Sequence, residues 1–146
     1  RKNTSHMDFD LDLAKAESSE NPVYYVKYAH ARICSVLRNA EARGLDATKA
    51  SDEDLARLDH PAERDLLRLL PELGGQIVSA ARSRDISRLT SFSVDVSAAF
   101  HPFYHQCTIL GDDEGLSRAR LALCMATRIV LANTLRLIGV DAPERM

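Results

Sequence analysis

The stretch NPVYYVKYAHARICSVLRNAEARG, Asn21–Gly44, decides the fold class. An asparagine followed by proline is a helix start. The Asn side-chain oxygen can accept a backbone N–H of the first turn, and proline lacks only an amide that turn leaves unpaired. Val26, Ala29, Ile33, Leu37 and Ala40 then recur at spacings of four and three, the period of one buried helix face. Gly44 is a natural stop.

Outward from this helix the signals stay helical. Ser51 precedes the acids of SDEDLARL, which suit the first turn of a short helix. His60-Pro61 breaks it, and PAERDLLRLLPEL restarts a helix with Leu66, Leu69, Leu70 and Leu73 inward. Pro71 should kink or divide that helix, Gly74-Gly75 weakens it, and Ile77, Val78 and Ala81 restore its pattern. Ser83 is expected to cap the next helix, with Asp85 in its first turn. Its apolar face is read as Ile86, Leu89, Val94, Ala98 or Ala99, Phe100, Phe103, Cys107 and Leu110. Pro102 predicts a bend near His101, and Gly111 an end. SFSVDVS, residues 91–97, is the main stretch with strand-like alternation.

A last helix over about 115–138 is apolar almost all round, from Leu121 to Ile138, which places it in the middle of a bundle. Residues 8–20 read as an extended lead-in passing into a short helix. The expected fold is therefore all-α, a bundle of about five to six helices over residues 21–146, with residues 1–20 as lead-in.

A length of 146 residues suits one domain with a sizeable core. A hydrophobic fraction of 45% and a charged fraction of 27% are ordinary for a soluble globular chain. Cys34, Cys107 and Cys124 are odd in number and lack CxxC spacing, which argues against zinc or a disulfide framework and for a reduced, cytoplasmic setting. The polar start RKNTSHMDFD is no secretory signal, and the most apolar segment, 121–132, is interrupted by Arg128, so no membrane is expected. A first residue other than Met suggests a piece of a longer chain.

The formal net charge of -2 confines any nucleic-acid surface to a local patch. Asn21–Arg43 carries four bases against one acid, and Arg118–Met146 five against two, whereas Asp46–Asp65 carries seven acids against three bases. If the first and last helices are neighbours, they make a basic face. Tyr25, Tyr28 and Arg32 lie at i, i+3 and i+7, a stripe rotated one residue from the core stripe. Rings beside cations are what single-stranded bases need for stacking and phosphate contact. Three core-edge tyrosines with hydroxyls in water would give the same pattern, and periodicity leaves both readings open. His101 and His105 have a metal-ligand spacing, but Pro102 lies between them and no carboxylate completes a site. His30 reads as a satisfied helix-edge residue. The chain has no GxSxG, P-loop or GxGxxG, and no catalytic set is visible.

Three segments carry a resemblance. DFDLDLAKAESSENPVYYVKYAHARICSVLR (8–38), AAFHPFYHQCTIL (98–110) and RIVLANTLRLIGVDAPERM (128–146) resemble the anticodon-binding domain of arginyl-tRNA synthetases. Lys27 stands where that family usually has Gln. The resemblance implies a class I synthetase anticodon-binding bundle, preceded by a nucleotide-fold catalytic domain from which residues 1–20 would lead in. HIGH-like and KMSK-like motifs are lacking in these residues, so this domain alone should bind the anticodon stem and loop of tRNA(Arg) without aminoacylating it. ATP with magnesium would serve the full-length ligase and no cofactor this domain. The upstream catalytic domain would be its other partner, in a monomer. The implied tRNA-binding residues are Tyr25, Tyr28, Arg32, Tyr104 and Met146, whose terminal carboxylate can accept a hydrogen bond. A free-standing helical protein- or RNA-interaction module of the same fold is the competing reading.

Overall fold

Asn21 does what its position dictates: its Oδ1 accepts the Val23 and Tyr24 amides at 3.1 and 3.4 Å, and helix α1 (Pro22–Ala42) follows. The computed structural model describes Leu11, Asp12, Ser18 and residues 20–146. Leu11 and Asp12 are helical, and most of the lead-in expected over residues 8–20 lies outside the described residues. Gly44, at φ +76°, turns the chain out of α1. A 3-10 turn (Ala47–Lys49), α2 (Asp52–Leu55), α3 (Pro61–Leu69), a second 3-10 turn (Leu70–Glu72), α4 (Leu73–Ser83), α5 (Ser87–Gln106) and α6 (Glu114–Leu137) complete the order. Pro71 divides α3 from α4 as expected. The described residues contain no strand.

Helix α6 is central, packing against α1, α2, α3 and α5. Ile33, Leu66, Phe100, Phe103, Leu121, Leu131 and Leu135 are almost wholly buried around it. Each such side chain stabilises the fold by roughly 1.5–3 kcal/mol relative to leaving it in water. Among the described residues, no helix is long and apolar enough to cross a membrane.

SFSVDVS alternates, yet it lies within α5, as the helical reading of that stretch requires. Other sequence expectations fail locally. The fully buried face of α5 also carries Phe92, Ser93, Val96 and Ser97, which the apolar count left out, while Val94 and Ala99 pack at its edge and Ala98 is exposed. Serines can occupy that face because their hydroxyls are satisfied within the helix: Ser93 donates to the Thr90 carbonyl at 2.7 Å and Ser97 to the Ser93 carbonyl at 2.8 Å. Ser83 ends α4 instead of capping α5, because Arg84 adopts a left-handed conformation (φ 54°) and terminates the helix there. Ile86 holds the cap position without a side-chain bond, and Asp85, one residue earlier, accepts the Ser87 amide at 3.0 Å. Ala80 is buried rather than Ala81, while Val78 and Ile86 point outward. α5 runs through Pro102 to Gln106, and Cys107 leaves it in extended conformation before Gly111 is reached.

The acidic segment and the last helix clamp together. Ser51 and Asp54 form a capping box at the start of α2, and Asp54 also accepts Arg118 Nε at 3.0 Å. Glu63 is fully buried: one oxygen accepts Arg120 Nε at 2.6 Å and the other accepts the His60 amide at 2.9 Å. Arg120 also donates to the Thr108 carbonyl at 2.8 Å. Asp113 caps α6 and pairs with Arg57, and that guanidinium with the helix amides holds its carboxyl at about 2. Gly115 lets these chains meet, since a Cβ there would lie 2.5 Å from Asp54 Oδ1 and 2.6 Å from Arg57 Nη1. Gly75, inside α4, has nothing within 4 Å of its Cβ position. The two glycines should therefore respond oppositely in urea unfolding. Gly115→Ala should lose up to about 1 kcal/mol, since the Arg57 guanidinium can swing aside only by giving up Asp113, whereas Gly75→Ala should gain roughly 0.5–1 kcal/mol of helix stability. Equal responses would contradict the close approach.

Candidate nucleic-acid interface

One side of α1 buries Val26, Ala29 and Ile33; the rim next to it carries the tyrosines and Arg32. Tyr28 and Arg32 are one turn apart, and α5 brings Tyr104 up from the other side. Arg32 Nη1 donates to the Tyr104 hydroxyl at 3.1 Å, and Nη2 donates to the Tyr28 hydroxyl. The guanidinium carbon lies 5.2 Å from the Tyr28 ring centre and 4.9 Å from that of Tyr104, within cation–π range of both. Burial works against the charge of Arg32, the two tyrosines work for it, and its pKa ends above its ordinary value. Two rings thus hold one cation, and each ring retains a half-exposed position.

The structure splits the expected stripe. Tyr25 faces His101, with ring centres 5.0 Å apart, rather than joining Tyr28 and Arg32. Burial pushes its phenol pKa up. Burial lowers the pKa of His101, and nearby His105 and Arg32 lower it further, which favours the neutral ring. The His101 and His105 rings stack 6.1 Å apart, and among the described residues no group of three or more His, Cys, Asp or Glu is placed to hold a metal ion. Tyr24, which the sequence reading left out, stacks on Tyr28 with ring centres 6.4 Å apart. Its i, i+4 relation to Tyr28 was the available signal.

Met146 reaches the same site from the far end of the chain. After Gly139 (φ +76°) the backbone turns back onto α1, and a groove of about 390 Å³ opens between the two. Tyr28, Arg32, Ser35 and Arg38 line it from α1, and Arg145 and Met146 from the other wall. A second cavity of about 200 Å³ lies between Tyr28, Arg32, His101 and Tyr104. The four residues Tyr28, Arg32, Tyr104 and Met146 therefore converge, Tyr104 through its bond to Arg32, while Tyr25 borders them through His101.

The basic face differs from the sequence expectation. α1 and α6 are neighbours, yet Arg118 and Arg120 turn to the acids of α2 and α3 and are occupied there. Arg32 and Arg38 of α1, with Arg145, line the groove with positive charge, against the single acidic side chain of Glu144. Arg38 and Arg145 were not singled out as site residues, because their convergence depends on the chain folding back.

Comparison with known proteins gives this site a family. The chain is 51% identical over 142 residues to the arginine–tRNA ligase of Symbiobacterium thermophilum, covering 97% of this chain and 25% of that protein. It is 49% identical over 145 residues to the arginine–tRNA ligase of Moorella thermoacetica, covering 99% of this chain and 26% of that protein. Among solved structures, Thermus thermophilus arginyl-tRNA synthetase superposes with a TM-score of 0.73 at 29% identity, covering 91% of this chain and 22% of that one. The chain thus spans about a quarter of the length of the curated relatives it matches. Residues 26–146, which hold Tyr28, Arg32, Tyr104 and Met146, match the family model of the DALR anticodon binding domain, and the chain belongs to that family.

Proposed function

We propose that this domain binds the anticodon stem and loop of an arginine tRNA, as the RNA-reading part of an arginine–tRNA ligase whose ATP-dependent chemistry resides in another domain. The observation that carries the reading is the clasp of Arg32 between Tyr28 and Tyr104 at the mouth of a basic groove. Single-stranded loops are read by splaying bases onto aromatic rings and bonding their edges. Tyr28 and Tyr104 offer the rings. Arg32, held by both hydroxyls, is oriented before RNA arrives, so less side-chain freedom is lost on binding. Arg38 and Arg145 supply charge for the phosphates, and Met146 closes the groove. Tyr25 supports the rim through His101. Arginine codons have G in the middle, so the loop presents C as the middle anticodon base.

Titration of an anticodon stem-loop of arginine tRNA tests this. Each phosphate contact on single-stranded RNA contributes about −0.7 to the salt slope. Three or four such contacts should weaken binding by about 15–60-fold between ~50 and ~200 mM salt. Replacing the middle C by U removes its amino donor but not its stacking face, so the cost should be that of edge hydrogen bonds, roughly 1–3 kcal/mol. No stem-loop binding, or binding indifferent to both salt and base, would overturn this reading and favour a module whose partner is a protein held by apolar contact.

A further inference from the structure

His30 lies on α1 with 4% of its surface exposed, and the RNA-binding reading leaves it without a task. Its Nδ1 sits 2.8 Å from the carbonyl oxygen of Pro143, 113 residues away in sequence. A carbonyl can only accept, so the ring must carry its hydrogen on Nδ1 and donate it there. Cys34 Sγ, 3.8 Å from the same nitrogen, is then a weak second acceptor and not the donor. Two turns along α1, Arg38 Nη1 donates to the next carbonyl, that of Glu144, at 3.2 Å. Val140 and Ala142 pack against the core just before this point, and the Val140 amide donates to Leu135 at 2.9 Å. The last contacts made by the segment before Arg145 and Met146 are therefore two hydrogen bonds from α1 to successive backbone carbonyls. Backbone carbonyls are present whatever the side chains, so this attachment fixes the path of the segment rather than one side chain.

We infer that His30 is a positioning residue for the groove: by donating to Pro143, and with Arg38 donating to Glu144, it latches residues 140–146 against α1 as the groove's second wall. The inference rests on the RNA-binding reading for its consequence, but the latch can be read without RNA. Asparagine places an amide N–H near the Nδ1 position and can keep the bond; glutamine, of similar bulk, places it one bond farther out and cannot. In ¹⁵N relaxation of the whole chain, His30→Gln should lower the order parameters of Glu144, Arg145 and Met146 from about 0.85 toward 0.6 or below, and His30→Asn should leave them near the native values. With the anticodon stem-loop as probe, His30→Gln should bind about three- to tenfold more weakly than His30→Asn, the worth of one net hydrogen bond. In a chain cut after Ala142, the two variants should bind alike, because the segment they hold is gone.

Unchanged order parameters in folded His30→Gln would overturn the latch. So would an equal affinity gap in the cut chain, since His30 would then act through the fold of α1. If the segment loosens while stem-loop affinity stays the same in every variant, the latch stands and the RNA-binding reading of the groove fails.

Discussion

Arg120→Met should be the most destabilising of the substitutions considered, by about 3–5 kcal/mol, seen as a drop of roughly 10–20 °C in thermal midpoint. The reason lies in Glu63, whose side chain is 1% exposed and whose guanidinium partner is 2.6 Å away. Removing Arg120 leaves a carboxylate with no water to replace it, and the Thr108 carbonyl loses its donor as well. The total stability of a domain this size is about 5–15 kcal/mol, so the loss is a large share. Adding Glu63→Met should restore much of it, since an apolar pair needs no desolvated charge. The recovery should be incomplete, because Glu63 also holds the His60 amide at the start of α3. A single-variant loss under ~1 kcal/mol would show that the pair is not isolated from solvent.

Tyr28→Ala should weaken stem-loop binding by about 1–3 kcal/mol, the usual worth of one stacked base. Two effects add in the same direction. The ring that would carry a base is gone, and Arg32 loses the hydroxyl that, with Tyr104, fixes its orientation. Tyr28→Phe separates them: it keeps the ring and removes only the bond to Arg32, so its loss should be smaller. Arg32→Lys preserves charge but replaces a planar donor with a flexible ammonium that cannot serve both hydroxyls in the same way. Circular dichroism should show α1 intact in each variant, since Tyr28 lies beside the core stripe and not in it. Full affinity in folded Tyr28→Ala would remove this ring from the interface.

The helices were legible because their causes are local. Asn21-Pro22, Gly44, Ser51, His60-Pro61 and Pro71 each act on their own turn of backbone, and the structure honours all of them. The boundary at Ser83–Asp85 was misread because the left-handed turn at Arg84 ends α4 after Ser83, which leaves Ser83 no helix to cap. The face of α5 was misread because a hydrophobic count treats serine as outward, whereas Ser93 and Ser97 bond to their own helix and can be buried.

Local signals along the chain suffice for an all-helical fold, its central last helix, and a tyrosine and arginine rim on α1. Periodicity could not determine what that rim meets, because a helix face carries no information about its neighbour. Tertiary structure decided that Tyr104 arrives to share Arg32 with Tyr28, that Tyr25 turns to His101, and that Arg118 and Arg120 serve Asp54 and Glu63 instead of a basic face. It also decided that residues 140–146 return to α1. The physical reason is the same in each case: ion pairs and hydrogen bonds between residues far apart in sequence form only once packing has set the distances.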